Sequence, residues 1–238
     1  MRSVLHRARG GAGVLTISET SRLRSGQALR LRAQALACVR GGRRVFENLS
    51  FELAGGEALV LTGPNGSGKS SLIRQIAGLV EIAGGSLALE GGDDERGISE
   101  QAHYVGHLDA LKNAMSVRET MLFWADFLGG TGDAEHALDA LGLGGLCDLP
   151  VAYLSAGQRR RLALSRLFLA PRPLWLLDEP SVGLDAASVE RLALLMKEHL
   201  AAGGLIVAAT HQELGLDGAR RLELTVVRNF SPEEEGAW

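Results

Sequence analysis

The chain has 238 residues, a net charge of −3 and a globular balance of 46% hydrophobic and 22% charged residues. This composition excludes a largely disordered chain, and the acidic balance argues against a broadly basic nucleic-acid binder. Two cysteines are too few for a disulfide framework or a closed zinc site, and no apolar run reaches the roughly 18–20 residues that cross a bilayer.

The first 28 residues differ in composition from the rest of the chain. They carry five arginines against a single acid, Glu19, with serine and glycine between them. An organellar transit peptide has this composition, and so does a disordered leader in an arginine-biased chain. We expect a disordered leader at 1–28 and a solvated acidic tail at 229–238.

From Leu29 onward the pattern is that of strands. Apolar and polar residues alternate over 29–35, Gly41-Gly42 forms a turn, and 45–53 forms one or two further strands. Short continuous apolar runs follow at 58–62, 174–177 and 205–209. Such runs are typical of parallel strands that are covered on both faces.

Helical periodicity recurs in five segments, 70–79, 117–128, 134–141, 157–169 and 186–202. Strands that alternate with helices predict a doubly wound α/β core within residues 29–228. The stretch from about 108 to 154 has only helical patterning and interrupts that core. It predicts an inserted helical subdomain at about 108–158.

A glycine-rich loop follows the apolar run at 58–62. Residues 63–70 match the phosphate-loop pattern G-x-x-x-x-G-K-[S/T] at every defined position and open a predicted helix. Glycines let backbone N–H groups curve around phosphates, Lys69 supplies a cation, and Ser70 offers a hydroxyl to Mg²⁺. The predicted ATP contacts of this loop are Gly63, Pro64, Asn65, Gly66, Ser67, Gly68, Lys69, Ser70 and Ser71.

Two further apolar strands end in polar side chains. Asp178-Glu179 follows 174–177, and His211 follows 205–209 after one threonine. Ligand-handling groups lie beyond the carboxyl ends of strands in doubly wound sheets. Asp178 is therefore the predicted Mg²⁺ ligand beside Ser70, Glu179 the general base, and His211 a γ-phosphate contact, with Lys69 as the third catalytic residue.

Leu154-Ser-Ala-Gly-Gln158 opens another helix and forms a second candidate anion site, with Ser155, Gly157 and Gln158 as its contacts. Together with Asp178-Glu179, this segment resembles the signature of the ATP-binding cassette (ABC) family, usually LSGGQ. The resemblance covers about residues 29–228. It implies an α/β P-loop NTPase of ABC ATPase type, with a mixed sheet core, an antiparallel β-subdomain and the inserted helical subdomain. It also implies a head-to-tail homodimer that sandwiches each ATP between one phosphate loop and the partner's signature.

The sequence departs from the family at two positions. The adenine-stacking aromatic residue is replaced by Arg40, whose guanidinium can stack on a base or simply be a surface arginine. His107 stands where the family places a glutamine that contacts Mg²⁺. A neutral imidazole can coordinate a metal, so His107 joins Ser70 and Asp178 as a metal candidate.

Sequence blocks between about 104 and 185, including 104–112 and 149–161, resemble the CcmA subfamily of the cytochrome c maturation system. This resemblance implies a haem-transporting class of ATPase that powers haem export or release of a haem chaperone. It implies ATP and Mg²⁺ as cofactors and integral membrane partners like CcmB and CcmC. The expected location is peripheral, at the cytoplasmic face of the bacterial inner membrane, with membrane contact through these partners and no nucleic acid.

Two alternatives remain open at this stage: the ATPase subunit of another ABC exporter, and a soluble ABC ATPase outside transport. The predicted helix at 117–128 bears on this choice, because Met115–Leu128 presents more apolar area than one packed face needs. Val117, Met121, Leu122, Phe123 and Trp124 either receive a membrane partner or belong to the core.

Overall fold

The computed structural model describes residues 28–130 and 132–226. The predicted leader and acidic tail lie outside the described residues, apart from Ala28. No helix within the described ranges is long and apolar enough to span a bilayer.

An antiparallel sheet begins the described chain. Its strands are β1 (Arg30–Arg40), β2 (Arg43–Ala54) and β4 (Gly84–Glu90), in the order β2-β1-β4. The predicted turn is confirmed, because Gly41 and Gly42 join β1 to β2 with φ values of 55° and 76°. The segment predicted as one or two strands forms the single strand β2.

The second sheet is wholly parallel. Its strands are β3 (Ala58–Thr62), β5 (Ala102–Val105), β6 (Leu174–Asp178), β7 (Leu205–Ala209) and β8 (Arg220–Glu223). They lie in the order β5-β6-β7-β3-β8. Every residue of β6 and β7 is buried, as their continuous apolar runs predict.

Each predicted helix is present. The helices are α1 (Lys69–Ile76), α2 (Val117–Leu128), α3 (Ala134–Ala140), α4 (Ala156–Ser165) and α5 (Ala186–Ala201). Ser116 begins α2 through a capping box with Glu119, and Gly129 ends it with a φ of 62°. The helix predicted at 157–169 ends as α-helix at Ser165 and continues as a 3₁₀ turn over Arg166–Phe168.

The parallel sheet is covered on both faces. One core joins β3, β6 and β7 to α1 and the antiparallel sheet, and a second joins the opposite faces of these strands to α4 and α5. A third core holds α2, α3 and the inner side of α4 together as a helical subdomain. The layers of an ABC ATPase expected from the sequence are therefore present.

The first part of the predicted helical insertion is not helical. Residues 108–116 form no helix. Ala110 has a left-handed φ of 53°, and a turn closes between the Met115 N–H and the Lys112 carbonyl at 3.2 Å. These bends exclude continuous helix, so the regular part of the insertion begins at α2.

Candidate functional site

Four loops meet at one edge of the parallel sheet. Because β5, β6, β7 and β3 are parallel neighbours, their carboxyl ends point the same way. Val105 pairs with Leu177, and Ala209 pairs with both Asp178 and Leu61. The loop bearing His107, the Asp178-Glu179 pair, His211 and the phosphate loop therefore follow adjacent strand ends, which is where doubly wound sheets bind ligands.

The phosphate loop depends on glycine backbone geometry. Gly63, Gly66 and Gly68 have φ values of 128°, 82° and 102°. A Cβ on Gly63 would lie 2.1 Å from the Leu224 carbonyl oxygen, and one on Gly68 would lie 2.7 Å from Val45 Cγ1. Gly68 is the N-cap of α1 and supplies no side-chain cap. The first-turn amides of α1 thus lack an intrahelical partner and suit an anion.

The floor of this loop is buried and the rim is exposed. Pro64, Asn65 and Gly66 are exposed, whereas Ser67 and Lys69 are buried. The Lys69 ammonium donates to the carbonyls of Gly63 at 2.7 Å and Pro64 at 3.0 Å. The Ser67 hydroxyl is buried without a hydrogen-bond partner. A cation and an unpartnered hydroxyl at the floor of an amide-lined loop are the groups that a phosphate requires.

A hydroxyl and a carboxylate meet behind the loop. Ser70 Oγ donates to Asp178 Oδ1 at 2.9 Å, and Asp178 Oδ2 is buried without a partner. Oxygen ligands of this kind fit Mg²⁺, which binds one or two protein oxygens and completes its shell with phosphate and water. Within the described ranges, no cluster of three or more His, Cys, Asp or Glu side chains could hold a metal.

His107 is the third metal candidate. It follows β5 at the same sheet edge, but its side chain is exposed and makes no hydrogen bond or ion pair with another described residue. The structure brings together Ser70 and Asp178 of the three metal candidates. His107 remains a prediction as the third.

Glu179 and His211 approach each other across neighbouring strand ends. Glu179 Oε1 lies 3.7 Å from His211 Nε2, with the carboxylate mostly buried and the imidazole half exposed. The Glu179 backbone is left-handed, with a φ of 49°, and its N–H donates to the Ala209 carbonyl at 2.8 Å. A non-glycine residue with this φ is strained, and such strain concentrates at functional sites.

The signature segment forms the start of α4. Ser155 Oγ accepts from the Gln158 N–H at 3.2 Å, and Gln158 Oε1 accepts from the Ser155 N–H at 2.8 Å. A Cβ on Gly157 would lie 2.7 Å from the Gly183 carbonyl oxygen, so glycine is needed there. Ala156 is an exposed first-turn residue, which explains why alanine is accepted where the ABC signature has glycine.

Arg40 ends β1 with an exposed side chain and pairs in register with Arg43. The following residues of β2 reach the phosphate loop, since Val45 and Phe46 would contact a Cβ on Gly68. The hairpin that carries Arg40 thus packs on the phosphate loop. This placement is compatible with adenine stacking.

Sequence reasoning missed Arg160, the middle of three consecutive arginines. Its guanidinium is buried and contacts the loops that follow both β5 and β6. The helical period gives little signal for this residue, because burial is not confined to one face of α4: Arg160, Leu162, Ala163, Leu164 and Ser165 are all buried. An arginine on a buried helix face requires several acceptors around it.

Comparison with known proteins gives a consistent result. The chain matches the ABC transporter family over residues 46–182. It is 56% identical over 190 residues to the cytochrome c biogenesis ATP-binding export protein CcmA of Bradyrhizobium diazoefficiens, covering 79% of this chain and 95% of that protein. The protein of the same name from Mesorhizobium japonicum is 56% identical over 193 residues, covering 80% of this chain and 96% of that protein.

Solved structures share the fold. The ATP-binding subunit of an ABC transporter superposes with a TM-score of 0.72 at 25% identity, covering 86% of this chain and 90% of that chain. A bacterial Atm1-family ABC exporter with ATP bound gives a TM-score of 0.71 at 19% identity, covering 85% of this chain and 39% of that chain. The second likeness concerns the fold alone.

Proposed function

The chain belongs to the ABC transporter family and is similar to a CcmA protein over 79% of its length, and on that premise we propose that it hydrolyses ATP for cytochrome c biogenesis. The observation that carries the proposal is the meeting of the phosphate loop, Asp178, Glu179 and His211 at adjacent strand ends. The proposed nucleotide-binding domain spans about 29–228, and its inserted subdomain at about 108–158 is helical from α2 onward.

The phosphate loop binds ATP through its backbone amides and Lys69. The amides of α1 and the ammonium group neutralise the β- and γ-phosphates, where negative charge is greatest. Mg²⁺, held by Ser70 and Asp178, supplies electrostatic stabilisation of the phosphoryl oxygens when it is bound. The buried unpartnered Asp178 Oδ2 supports this assignment, because a buried carboxylate oxygen requires a partner.

Glu179 is the general base of the proposed reaction. Its carboxylate accepts a proton from the attacking water and directs that water at the γ-phosphorus. His211, 3.7 Å from this carboxylate, is placed to donate to a γ-phosphate oxygen. We therefore assign Lys69, Glu179 and His211 as catalytic residues.

A homodimer completes the site. Ser155, Gly157 and Gln158 form an anion-binding helix terminus, and none of the hydrogen bonds among described residues joins them to 63–71 of the same chain. In a head-to-tail pair, this terminus of one protomer faces the γ-phosphate held by its partner.

Helix α2 provides the surface for a membrane partner. Leu122, Phe123 and Phe127 are exposed to 56%, 44% and 69%, and the rings of Phe123, Trp124 and Phe127 lie within 6.1 Å of each other. Val117 and Met121 are fully buried, so these two belong to the core. The exposed aromatic side fits a helix from an integral membrane subunit like CcmB or CcmC.

The proposed role follows from this arrangement. The ATPase lies at the cytoplasmic face of the bacterial inner membrane and contacts the membrane through its partners. Hydrolysis drives haem export or release of a haem-loaded chaperone, which corresponds to a haem-transporting ATPase.

Glu179→Gln tests the chemistry and the cellular role together. The amide is nearly isosteric and cannot accept the proton, so the variant should bind MgATP with unchanged affinity and hydrolyse it about 10²–10⁴-fold more slowly. A strain carrying it should lose mature c-type cytochromes and keep other haem proteins. Hydrolysis is measured by phosphate release and cytochromes by haem staining.

Two outcomes would contradict separate parts of the proposal. Near-normal phosphate release by Glu179→Gln would remove Glu179 as the base. Normal c-type cytochromes in a strain whose ATPase is inactive would overturn the role in cytochrome c biogenesis and leave the ATPase assignment intact.

A further inference from the structure

A single buried guanidinium joins the loops that follow β5 and β6. Arg160 is 4% exposed, and its side chain enters the sheet edge from α4. Nη1 donates to the Gly106 carbonyl at 2.8 Å and to Asp109 Oδ1 at 2.9 Å. Nη2 donates to the carbonyls of Asp178 at 2.9 Å and Glu179 at 2.8 Å, and Nε donates to Pro180 at 3.3 Å. These five bonds match the five N–H donors of a guanidinium.

The hydrogen bonds from Arg160 to the loop after β6 fix the backbone of the general base. The carbonyls of three consecutive residues, 178–180, all accept from Arg160. The middle residue, Glu179, has a left-handed φ of 49°, a strained conformation that persists only where the surrounding structure holds it in place. The direction of the Glu179 carboxylate depends on this backbone, so Arg160 determines where the base points.

The remaining hydrogen bonds of Arg160 hold the loop after β5, which carries His107. Gly106 and Asp109 flank this exposed residue, and both accept from Arg160. A second buried arginine lies on the same side: Arg166 donates to the Tyr104 carbonyl at 2.8 Å and stacks 4.7 Å from the Trp124 ring of α2. The loop is therefore connected to the catalytic turn through Arg160, and the strand that leads into the loop, β5, is connected through Arg166 to the helix proposed to receive a membrane partner.

Lysine could not replace this arginine. An ammonium has three donors on one atom, whereas the acceptors around Arg160 spread over two loops and need a planar fork. The two neighbouring arginines have other contacts, since Arg159 donates to Asn113 and Arg161 donates to the Leu141 carbonyl. The site is specific to Arg160.

We propose that Arg160 is a positioning residue for ATP hydrolysis, which sets the orientation of Glu179 according to the position of loop 106–109. This inference rests on the proposed ATPase function. The hydrogen bonds that Arg160 makes with the described residues do not reach 63–71, so we expect it to act on the hydrolysis step and to leave nucleotide binding unchanged.

The test compares Arg160→Lys and Arg160→Gln with the control Arg161→Gln in the full-length chain. We expect kcat to fall by roughly 10- to 100-fold in Arg160→Lys and further in Arg160→Gln, because small displacements of a catalytic group have effects of this size. The KM for ATP should stay within about twofold of wild type, and Arg161→Gln should keep the wild-type kcat. Rates are normalised to bound nucleotide, so that loss of folded protein is not counted as loss of turnover.

A second variant tests the loop side without disturbing the catalytic turn. Asp109→Ala keeps the three bonds to 178–180 and should leave basal kcat unchanged, while stimulation by the membrane subunits in the assembled complex falls by at least about half. Full stimulation in Asp109→Ala, or a wild-type kcat in Arg160→Lys, would overturn the inference. A wild-type chain that binds MgATP without hydrolysing it would overturn the proposed function as well, so the two failures are distinguishable.

Discussion

Acidification from pH 7.5 to pH 5.0 should destabilise the folded chain, because two histidines are buried in their neutral form. Burial lowers the pKa of His103 from 6.5 to about 3 and that of His199 from 6.5 to about 4. His103 Nε2 lies 2.7 Å from the Ala170 carbonyl, and His199 stacks on Trp175 with ring centroids 4.1 Å apart. A carbonyl only accepts, so the Nε2 of His103 carries the proton.

The sign and size of the effect follow from proton linkage. The unfolded histidines bind protons below a pKa near 6.5, whereas the folded ones stay neutral down to about 4 and 3. The unfolded state therefore binds more protons throughout this window, and the free energy of unfolding falls as the pH falls. Each histidine contributes about 2 kcal/mol at pH 5.0, and the pair contributes about 4 kcal/mol.

Urea unfolding at the two pH values measures this loss directly. A loss of this size lowers Tm by roughly 8–16 °C in a chain of this length. The comparison variant is His103→Gln combined with His199→Phe, since glutamine still donates to Ala170 and phenylalanine still stacks on Trp175. Its free energy of unfolding should depend on pH less than that of wild type by about 4 kcal/mol over the window. Equal pH dependence in the two proteins would refute the reasoning.

Two further predictions concern the nucleotide contacts. Gly68→Ala should weaken ATP binding by at least about tenfold, because its Cβ meets Val45 at 2.7 Å, whereas Gly66→Ala, with no atom within 4 Å, suffers only backbone strain of about 1–2 kcal/mol. Similar affinities for the two variants in a fluorescent-nucleotide titration would contradict this. Arg40→Ala should weaken binding by about 1 kcal/mol and Arg40→Tyr should preserve it, as measured by calorimetry. Wild-type affinity in Arg40→Ala would identify a surface arginine.

A strand could be predicted from the sequence where the hydrophobic pattern of its residues shows which of its faces are buried. The runs that became β3, β6 and β7 are apolar throughout, because both faces of these strands are covered. In contrast, β8 reads Arg-Arg-Leu-Glu and lies at the sheet edge with most of its side chains exposed. The four-residue β5 contains a buried histidine. Neither β5 nor β8 has the hydrophobic pattern of a strand. Both are recognised as strands only because they pair with a neighbouring strand of the sheet.

The residues of the candidate site likewise fall into two groups, those that could be predicted from the sequence and those that could not. The phosphate loop and Asp178-Glu179 are predictable because their chemistry depends on residues adjacent in sequence. The role of Arg160 depends on acceptors from two other loops, separated from it by 18–54 positions in the chain. The orientation of Glu179 is equally hidden, since its left-handed backbone is imposed by tertiary contacts.

The close approach of Gly157 to the Gly183 carbonyl has a consequence for communication between two protomers. The space between the signature and the turn after Glu179 is too small even for a methyl group, so neither segment can move toward the other without displacing it. In the proposed homodimer, the signature contacts the ATP that the partner binds. The turn, in contrast, directly follows Glu179, the general base for the chain's own ATP. A shift of the turn during hydrolysis would therefore displace the signature. Hydrolysis of one ATP would in this way weaken the contact between the signature and the ATP bound by the other protomer.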